Sequence, residues 1–281
     1  MPRTSKPVGV SNAAPAATLP DGLRRVEQIM GMPIGIDVRD AHVSPTALDH
    51  AFAWLRAVDA TFSTYREDSA ISRLNRGVLD PAEAPPEVRE VLARCADLYT
   101  ETGGYFDIQA PYRDPRGPRP GVVPAQPGAV DPSGLVKGWS VDRAGLILEA
   151  AGAGAYTINA GGDIRARGRP PGQTCWRVGI QHPRQHDKIA AVVAATNLVI
   201  ATSGAYERGA HILDPHSNQP AGGVLSVTVV GPDLATADAY ATAAYAMGPD
   251  GADWLAQING YQALIILADD VVLSTPGFPR A

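Results

Sequence analysis

Cysteine is scarce in this sequence. Among 281 residues, only Cys95 and Cys175 are cysteines. Two thiols can form neither a disulfide framework nor a metal site with four thiolate ligands, and this usage favours a reducing compartment.

Clustered positive charge and long apolar runs are lacking too. The chain has 24 basic and 29 acidic residues, a formal net charge of −5 and a pI near 5.7. No run of Lys and Arg is long enough to follow a phosphate backbone, so nucleic acid is not expected as a main partner. No stretch of about 18 lipid-compatible residues occurs either, so we expect no membrane insertion.

The first 22 residues are small, polar and interrupted by proline, without the apolar core that a secretory signal requires. We therefore expect residues 1–22 to be a disordered leader and residues 23–281 to form a single domain. The same composition predicts a cytoplasmic protein.

The chain is rich in apolar side chains, at 45% of residues, which is enough for a substantial core. Alternation predicts a strand over 32–39, and an apolar stripe behind Ser44 and Pro45 predicts a helix over 44–62. Further helices are predicted over 85–104, 139–151 and 236–247, and most of the segments between 155 and 231 have the pattern of strands. Six prolines between 111 and 127 predict a surface loop. The fold class expected is α+β.

The predicted helix over 236–247 places Asp238 and Thr242 one turn apart on one face. A carboxylate and a hydroxyl are hard oxygen ligands, and with a carbonyl and waters they would suit Mg²⁺. The alternative is that Asp238 favours the helix dipole and Thr242 bonds back to a carbonyl.

Two glycine-containing turns also carry polar side chains. The segment 131–144, DPSGLVKGWSVDRA, presents Lys137 where a helix is predicted to begin, an arrangement that favours an anion. The alternative is a turn followed by a solvated lysine. In the segment 157–168, TINAGGDIRARG, Asn159 and Asp163 either bind a ligand or close the turn.

Other side chains are ambiguous by themselves. Tyr65 is either a lid over a planar ring or part of a capped helix junction. Phe106 is interpreted as a core residue, and Asp107 as a hydrogen-bond acceptor in a turn. His211, in a predicted strand, is either a base that titrates near pH 7 or a core histidine.

Two other chemistries are poorly supported. A zinc site would use the four histidines His182, His186, His211 and His216. The H-E-x-x-H pattern of helical zinc sites is absent, however. A serine hydrolase centred on Ser203 lacks the G-x-S-x-G elbow.

Taken in chain order, seven stretches between residues 30 and 248 resemble the ApbE family of FAD:protein FMN transferases. They are MGMPIGIDV, FSTYREDSAISRLN, TGGYFDI, DPSGLVKGWSVDRA, INAGGDIRARG, ATSGAYERGAHILDP and ATADAYATAAYAMG. The resemblance implies an α+β fold that binds FAD with Mg²⁺ and transfers FMN to a Thr or Ser hydroxyl of a target flavoprotein. The link formed is a phosphoester, and AMP leaves.

The resemblance also implies roles for individual residues. Asp238 and Thr242 match metal ligands, together with backbone carbonyls of Gly134 and Ala241. Residues that match contacts to the flavin nucleotide are Met30, Tyr65, Tyr105, Phe106, Asp107, Asp131, Lys137, His211 and Ile212. The catalytic assignments are His211, as a base or contact beside the reacting phosphate, with Lys137 and Asp238.

The sequence departs from the family pattern in several places. Met32 stands where the family often has Thr, Ser133 replaces a common Gly, and the proline-rich loop is not a usual element. Many relatives are exported lipoproteins, whereas this sequence shows neither a signal nor a lipobox cysteine, so we expect a cytoplasmic acceptor. The alternatives are an Mg²⁺-dependent FAD pyrophosphatase that yields FMN and AMP, and a non-catalytic FAD-binding protein.

Overall fold

The computed structural model of the protein describes residues 17–19, 22–117, 119–185, 187–204 and 212–281. Its helices are α1 (Pro45–Phe62), α2 (Ala70–Asn75), α3 (Pro86–Glu101), α4 (Ser133–Ala150), α5 (Leu234–Ala246) and α6 (Gly251–Leu255). Its strands are β1 (Ala17–Leu19), β2 (Gly22–Ile29), β3 (Met32–Val38), β4 (Tyr156–Ala160), β5 (Asp163–Arg167), β6 (Trp176–Gln181), β7 (Ile189–Ala195), β8 (Leu198–Gly204), β9 (Leu213–Asp214), β10 (Gln219–Pro220), β11 (Val224–Gly231), β12 (Gln262–Leu267) and β13 (Val272–Ser274).

One nine-stranded sheet organises the described residues, in the order β1-β2-β3-β4-β5-β8-β11-β12-β13. Each neighbouring pair is antiparallel. Two further pairs, β6 with β7 and β9 with β10, form separate two-stranded sheets. Because the central strands come from both halves of the chain, distant segments meet at the sheet. The α+β class predicted from the sequence is confirmed.

Helices cover one face of this sheet. In β3 the alternate residues Ile34, Ile36 and Val38 are fully buried, as the period of two requires, and they share one core with α1, α4 and α5. The predicted apolar stripe of α1 is buried in that core, and Ser44 accepts a hydrogen bond from the backbone N–H of Thr46 as its cap.

The opposite face is covered over part of its width by the β6–β7 hairpin and the C-terminal segment. Here Ile180 and Val193 of the hairpin pack with Ile200, Leu264 and Phe278 in a second apolar cluster. The sheet is therefore a middle layer, and its helical side is the one that holds the polar cluster described below.

Helix α4 begins at Ser133, six residues before the predicted start at 139, so the interpretation of 131–137 as a turn ahead of the helix was wrong. Gly134 and Gly138 disfavour helix by about 1 kcal/mol each and motivated that error. Tertiary packing overrides the propensity, because a Cβ on Gly138 would lie 2.4 Å from the carbonyl oxygen of Leu234 in α5.

Two other boundaries differ from the prediction. Helix α5 begins at Leu234 rather than 236, because Asp233 is the cap and accepts a hydrogen bond from the N–H of Thr236 at 2.8 Å. Strand β2 was not predicted, because its inward positions Arg25 and Glu27 are charged and pair with α1 through Asp49 and Arg56.

Ala17–Leu19, inside the range predicted as a disordered leader, pairs with β2 as an edge strand. For residues 1–16 the leader stays a prediction, since they lie outside the described residues. None of the helices in the described ranges is long and apolar enough to cross a bilayer.

Candidate active site

Lys137, Asp163 and Asp238 form a polar cluster between α4, β5 and α5. The Nζ atom of Lys137 lies 2.6 Å from Oδ2 of Asp163 and 3.5 Å from Oδ1 of Asp238. Asp163 is the first residue of β5, and its Oδ1 accepts a hydrogen bond from the backbone N–H of Thr202 in β8 at 3.0 Å. Three elements that are far apart in sequence therefore supply one charged site.

The cluster has an excess of negative charge, since two carboxylates share one ammonium. Asp238 is only 3% exposed. Burial raises its pKa to about 7; Lys137 opposes this rise and the nearby Asp163 adds to it. The Oδ2 atom of Asp238 is buried and has no hydrogen-bond partner among the described residues. Such an arrangement is electrostatically incomplete and favours an added cation.

Oxygen atoms that could complete a cation site lie beside Asp238. Thr242 is one helical turn further along α5, and its Oγ1 lies 3.3 Å from Oγ of Ser203 in β8. A Cβ on Gly134 would lie 3.8 Å from the same Thr242 oxygen, so the first turn of α4 approaches this point closely. Ala241 is fully buried in α5. Carboxylate, hydroxyl and carbonyl oxygens are the donor set of Mg²⁺, so these residues fit that ion.

The zinc alternative uses histidines that lie only partly within the described residues. Over the described ranges, no group of three or more His, Cys, Asp or Glu side chains is arranged to hold a metal ion. His186 and His211, two of the four histidines considered, lie outside those ranges.

Asp131 sits at the entrance to α4 and is held by the proline-rich loop. Its Oδ1 accepts a hydrogen bond from the N–H of Ser133 at 3.1 Å, and its Oδ2 pairs with the guanidinium of Arg119. The same loop approaches Tyr65. If Gly121 carried a Cβ atom, that atom would lie 3.5 Å from the Tyr65 ring. The loop therefore lies against Asp131 and Tyr65, which are both matched to flavin-nucleotide contacts.

An aromatic flank follows α3. The Tyr105 ring meets the His216 ring edge-on, with centroids 4.5 Å apart. Phe106 is buried, and its ring would be 3.2 Å from a Cβ on Gly134, so it packs directly against the first turn of α4. Asp107 is paired with Arg113 from the loop that follows.

The remaining predicted residues lie on different segments. Met30 occupies the turn between β2 and β3 with a positive φ of 55°. Ile212 is buried, and its carbonyl accepts a hydrogen bond from the N–H of Ala221 at 3.0 Å. Neither of them belongs to the cluster that Lys137, Asp163 and Asp238 form among the described residues. His211 lies outside the described residues, so its assignment stays a prediction.

Sequence reasoning did not assign Ser203 or Arg119 to this site, and it left the role of Asp163 open. The glycine turn at 161–162 did contain a signal, because it is flanked by two polar residues, Asn159 and Asp163. The sequence left two roles open, closing the turn and binding a ligand, and in the structure only one of the two residues closes the turn. Asn159 closes the turn by accepting a hydrogen bond from the N–H of Gly162 at 3.0 Å, whereas Asp163 pairs with Lys137.

Comparisons with known proteins identify similar sequences and structures. The sequence profile of the ApbE family matches residues 30–111 and 119–265, leaving 112–118 of the proline-rich loop between the matched stretches. The FAD:protein FMN transferase of Haemophilus influenzae is 28% identical over 267 residues, which cover 78% of this chain and 77% of the relative.

Solved structures give the same result. The flavin transferase ApbE from Vibrio cholerae superposes with a TM-score of 0.78 at 27% identity, covering 94% of this chain and 99% of that one. The ApbE protein of Thermotoga maritima superposes with a TM-score of 0.79 over 92% of this chain and 100% of that one; at 24% identity, it supports the fold alone. With the family profile matched over most of its length, the chain belongs to the ApbE family.

Proposed function

We propose that this protein is an Mg²⁺-dependent FAD:protein FMN transferase. It moves the FMN half of FAD onto a Thr or Ser hydroxyl of an acceptor flavoprotein through a phosphoester bond and releases AMP. Relatives named FAD:protein FMN transferase, such as that of Haemophilus influenzae, support this class of reaction.

The observation that carries the proposal is the buried cluster of Lys137, Asp163 and Asp238. It combines a carboxylate oxygen without a partner, an excess of negative charge and neighbouring hydroxyls. A stable protein core does not require such a cluster, because burial of charge costs free energy unless each charge is paired. The cluster is best explained as a site that a divalent cation and a phosphate group complete.

We infer that Asp238, Thr242 and the backbone carbonyls of Gly134 and Ala241 would hold the cation. When bound, Mg²⁺ supplies neutralisation of the charge on the FAD diphosphate. The side chain of Lys137 is 22% exposed, and we infer that its ammonium would contact the same phosphates.

Asp131 and Tyr65 would bind other parts of the dinucleotide. Asp131 is fixed from two sides, by Arg119 and by the N–H of Ser133, so its carboxylate is already oriented. Tyr65, with half of its surface exposed, is available to stack on a planar ring. Such positioning matters because phosphoryl-type transfer depends mainly on alignment and electrostatic stabilisation.

The reaction exchanges one phosphorus–oxygen bond for another. The acceptor hydroxyl oxygen bonds to the phosphorus of the FMN half, the bond from that phosphorus to the bridging oxygen breaks, and AMP departs with that oxygen. The hydroxyl proton must be removed, and we assign this role to His211, which is adjacent to Ile212. General-base help of this kind contributes about 10²–10⁴-fold.

The test is a product analysis. The protein is incubated with FAD, Mg²⁺ and a soluble extract of the source organism, and the mixture is denatured and separated. We expect a covalently fluorescent protein band and AMP, both abolished by EDTA. Release of free FMN with AMP and no labelled protein would favour a pyrophosphatase instead. Recovery of unchanged FAD would indicate a binding protein.

A further inference from the structure

One face of α4 is built around its contact with α5. Gly134, Gly138 and Asp142 are spaced by four residues, so they lie above one another on the same side of the helix. Gly134 faces Thr242, and Gly138 lies against the backbone of Leu234 so closely that any side chain there would collide with it. This face therefore runs along the helix that carries Asp238.

Asp142 binds the beginning of α5. Its Oδ2 accepts hydrogen bonds from the backbone N–H groups of Leu234, at 2.8 Å, and Ala235, at 2.9 Å. The next N–H, that of Thr236, is bonded by Asp233. The first N–H groups of a helix have no partner within the helix, so a carboxylate supplied by another helix attaches α5 to α4 at this point.

The other oxygen of Asp142 is held from the sheet. Its Oδ1 accepts a hydrogen bond from Nη1 of Arg165 at 2.8 Å. The guanidinium of Arg165 is fixed in turn by the hydroxyl of Tyr156 at 3.1 Å and by Glu149 at 3.2 Å. Both oxygens of Asp142 therefore face donors, and the carboxylate connects α4, β5 and the N-terminus of α5.

We propose that Asp142 is a positioning residue for the metal site. Resting on the proposed function, this inference follows from helix geometry. Asp238 lies four residues after Leu234 and Thr242 lies four residues later, so both occupy the face that continues from the bonded first turn. By fixing that turn against α4, Asp142 sets the separation of Asp238 and Thr242 from Gly134 and Lys137, which belong to α4 itself.

The test uses Asp142→Asn, which keeps the size of the side chain. An amide has only one acceptor oxygen, so its NH₂ group must face either Arg165 or the first turn of α5, where only donors are present. We expect the affinity of the FAD-loaded protein for Mn²⁺, measured from the EPR signal of free Mn²⁺, to fall about 10- to 100-fold. FAD binding in the presence of EDTA is expected to change little.

Asp40→Asn is a matched control. The Oδ2 atom of Asp40 also accepts hydrogen bonds from two consecutive backbone N–H groups, those of Gly154 at 2.8 Å and Ala155 at 2.7 Å. Gly154 and Ala155 precede β4, whereas Asp163 of the polar cluster follows the opposite end of that strand. We expect this variant to lose thermal stability to a similar extent and to bind Mn²⁺ like the wild type.

The outcomes separate the two proposals. Equal Mn²⁺ affinity for folded Asp142→Asn and the wild type would overturn the positioning role, leaving Asp142 a structural cap. Failure of the wild type itself to bind Mn²⁺ would refute the proposed function instead. Should Asp142→Asn not fold, Arg165→Gln removes the support on Oδ1 and leaves both bonds to α5. This variant should still lose Mn²⁺ affinity relative to Asp40→Asn, and unchanged affinity would again overturn the role.

Discussion

The Nζ atom of Lys137 lies 2.6 Å from Oδ2 of Asp163, joining the second turn of α4 to the first residue of β5. Because Asp238 is also within 3.5 Å of this ammonium, Lys137 is the cation between two buried carboxylates. Replacement by Met keeps the apolar stem and removes the charge. We expect Lys137→Met to reduce the free energy of unfolding in EDTA by about 3 kcal/mol, measured by urea denaturation.

The exposed Lys188 provides the control for that substitution. Lys188→Met removes the same charge from the surface and should change stability by less than about 0.5 kcal/mol. Equal effects of the two substitutions would mean that the ion pair with Asp163 contributes nothing.

Asp238 provides the second prediction. Asp238→Asn removes the only carboxylate of the proposed cation site, and we expect transfer of FMN to fall about 100-fold or more in a fluorescence gel assay. The fold should persist, because Asn keeps the size of the side chain, the Oδ2 atom of Asp238 makes no hydrogen bond among the described residues, and Lys137 keeps its closer ion pair with Asp163. A variant that retains full activity would refute the assignment of the site.

The proline-rich loop yields a third prediction. Arg119→Ala leaves the buried carboxylate of Asp131 without its cationic partner. We expect the affinity for FAD to fall about tenfold, as measured by quenching of flavin fluorescence, because a charged hydrogen bond to a buried group is worth about 1.5–3 kcal/mol.

Arg116→Ala is the comparison for Arg119. Arg116 belongs to the same loop and pairs with Asp114 at the surface, so its removal should leave FAD affinity unchanged. If both variants bind FAD like the wild type, the loop has no part in nucleotide binding.

The two cysteines should differ in reactivity. Cys95 is 2% exposed in α3, and burial raises the pKa of its thiol to about 12, so at pH 8 it remains a protonated, inaccessible thiol. Cys175 is partly exposed. We expect a thiol-reactive chromophore to modify one group rapidly in the folded protein and a second only in urea, and Cys175→Ser to remove the rapid phase. Rapid modification of two thiols in the native state would contradict this burial.

Several elements could be predicted from the sequence because their signals are local. The cap at Ser44 with Pro45 and the apolar stripe behind them define α1, and alternation defines β3, each within a residue or two. The predictions failed where packing overrode local preference. Strand β2 was missed because charged Arg25 and Glu27 face inward, and the first turn of α4 was missed because of its glycines.

The resemblance to the ApbE family was confirmed, and it named residues that the structure places in one cluster, Lys137 and Asp238 among them. It assigned no role to Asp163 or Arg119. Their roles depend on partners that no local pattern specifies, since Asp163 in isolation is equally suited to close a glycine turn.

The sequence by itself determined that Asp238 and Thr242 lie on one face of a helix, because the helical period fixes the direction of side chains four residues apart. Only the tertiary structure decided which groups face them. The antiparallel order of the sheet brings β5 and β8 beside α4 and α5, so that Lys137, Asp163 and Ser203 reach the same point. Contacts between residues so far apart in sequence depend on the packing of the whole sheet, and local sequence patterns do not encode it.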